Sequence, residues 1–162
     1  MSRLVVVSDT HGNLTSTRQA TEMIERLQPD CVIHCGDIGD TAVIPFFDRW
    51  PTHFVFGNCD PDEVALTRAI EAAGQHCHRR FGSLELEGVK IAFLHSDDHK
   101  LFQNTIFSGE YSLVCYGHTH QVLTETVEET IVLNPGALHR ARPYTFAVVE
   151  LPQLSIEIQT LA

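Results

Sequence analysis

The chain has no run of Lys or Arg, no cysteine pair at redox or zinc-ribbon spacing, and no apolar stretch near the length of a membrane span. Each absence removes a class of function. With a formal net charge of −10, a pI near 5.3 and no clustered cations, tight binding of long nucleic acid is not expected, because that affinity comes largely from neutralising phosphates. The five cysteines, at 31, 35, 59, 77 and 115, are odd in number and unpaired in spacing. They read as reduced, mostly buried thiols rather than as a disulfide framework. No membrane partner is expected. Met1-Ser2-Arg3 passes straight into a strand-like run without a signal-peptide pattern, so the expected compartment is the cytoplasm. There is also no Gly-, Pro- or Ser-rich linker and no repeat, so residues 1–162 are expected to form one domain. That length, at 43% hydrophobic content, suffices for a sheet-based core. Oligomeric state is left open, a homo-oligomer included.

What is present is alternation. Leu4-Val5-Val6-Val7 reads as a strand, and residues 14–27 as a helix with Ala20, Met23, Ile24 and Leu27 at helical spacing and Pro29 beyond its end. A strand at 31–35, a short helix near 41–49, a strand at 53–56 and a helix from a first-turn Pro61 to Ala73, stopped by Gly74, follow in order. Such strand–helix–strand repetition predicts parallel strands with right-handed crossovers. The second half is mostly strand: a hairpin of 84–87 and 90–94 around Gly88, a weakly patterned helix at 100–108, then strands at 112–116, 121–127, 130–134, 144–151 and 154–159. The expected fold is α/β, with two stacked mixed sheets flanked by helices.

Seven potential metal ligands stand where these apolar runs stop. They are Asp9 and His11, Asp37, Asn58, His95, then His118 and His120. Strand ends of one sheet face one edge, so residues distant in sequence can meet there. Taken alone, Asp9-Thr10-His11 reads as a helix cap or a surface pair, and Asn58 as an ordinary turn residue. Gly117-His118-Thr119-His120 says more, because glycine permits a tight turn from which two imidazoles splay toward different neighbours. Asp37 ends a very apolar strand, where a buried carboxylate is costly unless a cation or hydrogen bonds neutralise it, and one carboxylate can bridge two metals. Together, oxygen and nitrogen ligands without thiolates describe a dinuclear site for ions such as Mn, Ni, Fe, Zn or Co rather than a structural zinc. Two ions roughly 3.5–4 Å apart can activate a bridging water and clamp both oxygens of an in-line displacement at phosphorus. They would also outweigh the carboxylates of Asp9 and Asp37 and a bound hydroxide, so an acidic protein could still receive a phosphate ester.

With Asp9-Thr10-His11-Gly12, Gly36-Asp37-Ile38-Gly39-Asp40, Gly57-Asn58-Cys59-Asp60, His95, Gly117-His118-Thr119-His120 and Asn134-Pro135-Gly136 in this order, the chain resembles the calcineurin-like metallophosphoesterases, specifically their small single-domain bacterial and archaeal phosphodiesterase branch. The resemblance spans nearly the whole chain. It implies a four-layer αββα sandwich with a dinuclear site at strand ends, in which Asp9, His11 and His120 hold one divalent ion, Asn58, His95 and His118 the other, and Asp37 bridges them. Manganese is the expected ion, with Ni, Fe, Zn or Co as alternatives. It also implies in-line attack of a metal-bound hydroxide on a small phosphodiester, with Asn58 holding phosphate oxygens.

Three departures from the family pattern bear on chemistry. Many relatives place a histidine after Gly-Asn that protonates the leaving group, whereas this chain has Cys59, read either as a proton donor or as a residue packed beside the metals. Asp40, which orients that histidine in relatives, is then free for a supporting hydrogen bond or a helix cap. Thr41 stands where the protein phosphatases carry an arginine that grips a monoester dianion; its loss favours a diester, with a phosphomonoesterase on the same site as the alternative. Relatives follow the ligand matching His95 with glycine and histidine. Here Ser96-Asp97-Asp98-His99 follows, adding carboxylates near the pocket. A third reading is a non-catalytic metal-binding scaffold like the retromer subunit of this fold, which the full ligand set disfavours. His34 reads as a satisfied interior residue, and His53, His76 and His78 as surface positions. His139, Arg140 and Arg142 read as a solvated loop able to line a substrate rim.

Overall fold

A computed structural model describes all residues, 1–162. The first sheet has the order β11-β10-β1-β2-β3-β4, built from β1 (Ser2–Val7), β2 (Cys31–His34), β3 (Thr52–Phe54), β4 (His76–Cys77), β10 (Thr145–Leu151) and β11 (Ser155–Thr160). The second has the order β5-β6-β7-β9-β8, from β5 (Phe81–Leu86), β6 (Val89–Leu94), β7 (Leu113–Cys115), β8 (Val122–Val127) and β9 (Thr130–Pro135). Both sheets are mixed. Strands β1 to β4 run parallel, and β10 returns antiparallel to β1. In the second sheet β6, β7 and β9 run parallel while β5 and β8 close its edges antiparallel.

The four layers follow from which face each side chain can bury. Strand side chains alternate between faces. In β1, Val5 and Val7 join the core under α1 (Leu14–Leu27), a 3₁₀ helix (Thr41–Phe47) and α2 (Glu63–Ala72), whereas Leu4 and Val6 join the core between the sheets. A strand buried on both faces shows an unbroken apolar run, as 4–7 does. The outer face of the second sheet packs Ala92, Leu94 and Val114 against Ile106 of α3 (His99–Phe107). Helix starts are capped locally: Asn13, Asp62 and Asp98 each accept a backbone N–H of the first turn.

The expected architecture is therefore present, with three local corrections. Pro61 precedes α2 instead of sitting in its first turn, because the Asp62 carboxylate takes the Ala65 N–H and sets the N-cap there. The helix after β2 is a short 3₁₀ stretch with Pro45 inside it, where the missing N–H would break an α-helical ladder. A two-residue strand, β4, was not foreseen; it has too few residues to leave a periodic signal.

Candidate metal centre

All five ligand clusters emerge at the C-terminal ends of parallel strands, at the shared rim of the two sheets. There the backbone is forced into unusual shapes: Asp9, His11, Asp37, His118 and His120 all have φ between 44° and 74°. Non-glycine residues rarely adopt this region, and clusters of them mark functional sites held by their surroundings. The restraints here are interloop hydrogen bonds. Asp9, His11 and Gly12 donate their N–H groups to the carbonyls of Gly36, Asp37 and Ile38 at 2.9 to 3.0 Å, zipping the first ligand loop to the second.

Two ligand groups result. Asp9 Oδ1 lies 3.2 Å from His120 Nε2 and 3.5 Å from His11 Nε2, and the two Nε2 atoms are 3.2 Å apart. Asp37 Oδ2 lies 3.1 Å from His95 Nε2, and His118 completes that group, its ring 5.0 Å from that of His95. The same Asp37 oxygen is 3.4 Å from His11 Nε2, so it stands between the groups. Asn58 is exposed on the adjoining loop, which the Cys59 N–H ties to Asp37 Oδ1 at 2.8 Å.

Three features of these side chains fit a cation. First, ligands at about 2.1 Å from one ion stand roughly 3.0–3.5 Å from each other, the spacing seen here. Second, Asp9 Oδ1 and His95 Nε2 are buried without a hydrogen-bond partner, a cost that a bound cation removes. Third, the outer nitrogens fix the tautomers. His95 Nδ1–H donates to the Cys35 carbonyl at 2.8 Å and His120 Nδ1–H to the Arg140 carbonyl at 3.3 Å, which leaves both Nε2 lone pairs facing the centre.

The electrostatics agree. Burial alone would raise the Asp37 carboxyl, but His95 at 3.1 Å, the Cys59 N–H and His11 hold it at about 2. Asp9 is likewise held below the usual range, burial being overcome by His11, His95, Ser8 and His120. In return Asp9 raises His11, and Asp37 and Asp9 raise His95 against its own burial. Dense negative charge thus waits for cations.

The surrounding residues position the ligands. Asp9 Oδ2 accepts the Ser8 hydroxyl at 2.6 Å and the His118 N–H at 3.0 Å. Asn134 donates to the Gly117 carbonyl and the Thr119 hydroxyl, both at 3.0 Å, shaping the turn that carries His118 and His120. Asp60 is buried and binds three backbone N–H groups. Neither role was anticipated. Both residues lie in the quoted motifs, and an acidic or amide side chain next to a glycine turn was the available signal. A Cβ on Gly57 would overlap the Asp37 carboxylate, and one on Gly117 would overlap Ser8 and Asp9.

Other expectations resolve individually. Cys59 is the exposed cysteine and Sγ lies within 4.8 Å of the ligand atoms of His11 and Asp37, so a thiol does border the site. Burial, then Asp37, push that thiol up and keep it protonated. Asp40 caps the 3₁₀ helix through Ala42 N–H at 2.8 Å. Asp97 faces Arg80 at 3.5 Å and Asp98 caps α3 through Leu101 N–H at 3.0 Å, so the added carboxylates have partners. Buried His34 accepts the Gly36 N–H at Nδ1 and meets the Thr10 hydroxyl at Nε2, as an interior histidine should. His53 and His78 depart from the surface reading. They are half-buried, 2.8 Å apart, and packed on Phe93 of β6. His139 is half-buried in its loop with its ring 5.3 Å from that of His11, at the rim of the centre.

Comparison with known proteins agrees with this geometry. The chain matches the calcineurin-like phosphoesterase superfamily domain over residues 2–153. It is 31% identical over 137 residues to a Methanocaldococcus jannaschii protein named phosphodiesterase MJ0936, covering 83% of this chain and 82% of that one. The solved structure of an archaeal phosphodiesterase superposes with a TM-score of 0.90 at 27% identity, covering 98% and 99% of the two chains. Vps29 of Entamoeba histolytica, at 17% identity, a TM-score of 0.66 and 98% and 97% coverage, shares the fold. The chain belongs to the calcineurin-like phosphoesterase superfamily.

Proposed function

We propose that this protein is a phosphodiesterase acting on a small diester, with Asp9, His11 and His120 as ligands of one divalent ion, Asn58, His95 and His118 as ligands of a second, and Asp37 shared. The observation that carries the reading is Asp37 Oδ2, poised 3.1 Å from His95 and 3.4 Å from His11, in a chain whose M. jannaschii relative is named a phosphodiesterase. When bound, the two ions supply an activated water and neutralise charge on the phosphoryl oxygens. The protein's own part is to fix that pair and to orient the ester. Asn58, exposed on its loop beside Cys59, is the side chain we assign to a phosphoryl oxygen. We assign Cys59, held protonated at the rim beside Asp37, to the side of the departing alcohol.

A diester is favoured over a monoester because Thr41 brings no guanidinium to a dianion, and Arg80 is occupied by Glu63 at 2.7 Å and by Asp97. We take Mn²⁺ as the ion, with Ni, Fe, Zn or Co as alternatives that oxygen and imidazole donors also accept, 1–162 as one domain, and the cytoplasm as the compartment. Five unpaired thiols suit a reducing environment, and no helix is long and apolar enough to cross a membrane. The test is to strip the protein with chelator, restore Mn²⁺, and compare bis(p-nitrophenyl) phosphate with p-nitrophenyl phosphate. Faster, metal-dependent cleavage of the diester is expected. A monoester preference would select the phosphatase reading, and silence on both with every candidate metal would point to a narrower substrate or to the scaffold.

A further inference from the structure

Beyond the seven ligands, we infer that His139 is a substrate-binding residue, donating a hydrogen bond from Nε2–H to a phosphoryl oxygen on the His11/His120 side of the centre. This rests on the phosphoesterase reading above. The backbone around His139 is pinned to the ligand loops on both sides. Leu138 N–H is shared between the carbonyls of Ser8 and Asp9 at 3.3 Å, the Ser16 hydroxyl donates to the Leu138 carbonyl, and the Arg140 carbonyl accepts His120 Nδ1–H. One residue is held to the first ligand loop and the next but one to the last, so the imidazole between them has little freedom to swing away. Its ring lies 5.3 Å from His11, with the planes inclined by 39°.

The hydrogen bonding of the ring then selects its role. Three buried side-chain polar atoms in the protein lack a partner: Asp9 Oδ1, His95 Nε2 and His139 Nδ1. The first two face the metal centre. For His139, an unpaired buried N–H is the costlier orphan and an unpaired lone pair the cheaper one, which assigns the proton to Nε2. The ring is therefore a neutral donor with its N–H on the edge away from Nδ1. A neutral N–H beside a cationic centre does not compete for the ions, and its bond to an anionic oxygen is of the strong, charge-assisted kind. This also supplies a donor in a chain where the residue directly after Asn58 is Cys59 and not a histidine.

The test uses the whole protein loaded with Mn²⁺, comparing wild type with His139→Ala and His139→Gln. Glutamine carries its amide nitrogen near the position of Nε2. Bound metal per chain is measured by elemental analysis, the Kd for inorganic phosphate by calorimetry, and kcat and KM on bis(p-nitrophenyl) phosphate. In His139→Ala we expect unchanged metal content, phosphate binding weakened about tenfold and KM raised in parallel with little change in kcat, a hydrogen bond to a charged group being of that size. His139→Gln should recover most of the loss. If His139→Ala fails to fold, His139→Asn, too short to present a donor at the Nε2 position, takes its place with the same expectation. Unchanged phosphate affinity, loss of metal, or no recovery in His139→Gln overturns the inference, as does wild-type protein that holds metal yet binds no phosphate. Because phosphate binding is read without turnover, a wild type that binds phosphate but cleaves neither ester defeats the phosphodiesterase reading alone. Active enzyme with an indifferent His139→Ala defeats this one alone.

Discussion

The Asp60 carboxylate accepts the backbone N–H of Gly39 at 2.9 Å, and through its second oxygen those of Ile38 and Gly57 at 3.1 and 2.9 Å. One buried side chain thereby locks the loop carrying Asp37 to the loop carrying Asn58. Replacing it with alanine leaves three N–H groups without acceptors, each costing about 1–3 kcal/mol when buried. Asp60→Ala is expected to lose about 3 kcal/mol or more of stability in urea unfolding and to bind metal more weakly. Wild-type stability in this variant would show that water replaces the carboxylate.

Asp37 and Cys59 should separate sharply in effect. Asp37→Asn removes the charge shared by both ligand groups, so metal content and activity should fall together, activity by at least about a hundredfold. Cys59→Ser should cost only about threefold, because charge stabilisation of the leaving oxygen dominates. A loss in Cys59→Ser as deep as that in Asp37→Asn would make the thiol a principal proton donor.

Gly117→Ala tests the close approach behind His118. The added methyl would have to displace Ser8 and the Asp9 carboxylate, and overpacking of this kind costs about 1–3 kcal/mol. We expect metal affinity to drop more than thermal stability. Equal metal affinity, titrated with Mn²⁺, would mean that the turn moves freely.

Metal binding should release protons. His11 and His95 are raised above the ordinary imidazole value in the metal-free site, so they keep protons to higher pH than a free imidazole does, and ligation must displace those protons. Their contribution to metal-free stability is fully present below about pH 6.5 and disappears as pH rises through the elevated values. Calorimetry of Mn²⁺ binding in buffers of different ionisation enthalpy should report net proton release, and affinity should increase with pH. Buffer-independent heats would contradict this.

His34 acts in the opposite sense. Burial holds it neutral, with its pKa lowered to about 4. As pH falls from about 6.5, the unfolded chain takes up a proton that the native protein refuses, so acid removes roughly 3 kcal/mol by pH 4. His34→Gln should show a flatter loss of stability across that window, measured by urea unfolding at stepped pH. An unchanged slope would place the acid sensitivity elsewhere.

The sequence by itself determined the features that repeat locally. Alternate burial of Leu4 and Val6 against Val5 and Val7 follows from an unbroken apolar run, and the helix at 14–27 follows from its apolar spacing and from Pro29 beyond its end. That the ligand clusters share one rim follows from their position after parallel strands. Only the tertiary structure decided which side chains stand between others. Asp60 binds the 38–39 loop from more than twenty residues away, the three-histidine group at 53, 76 and 78 forms because a two-residue strand pairs with β3, and His139 meets His11 across the chain. Periodicity records which face of an element is buried, because burial acts on each residue in its own strand or helix. It carries no record of contacts that depend on where separate loops end, since those are set by how two sheets pack against one another.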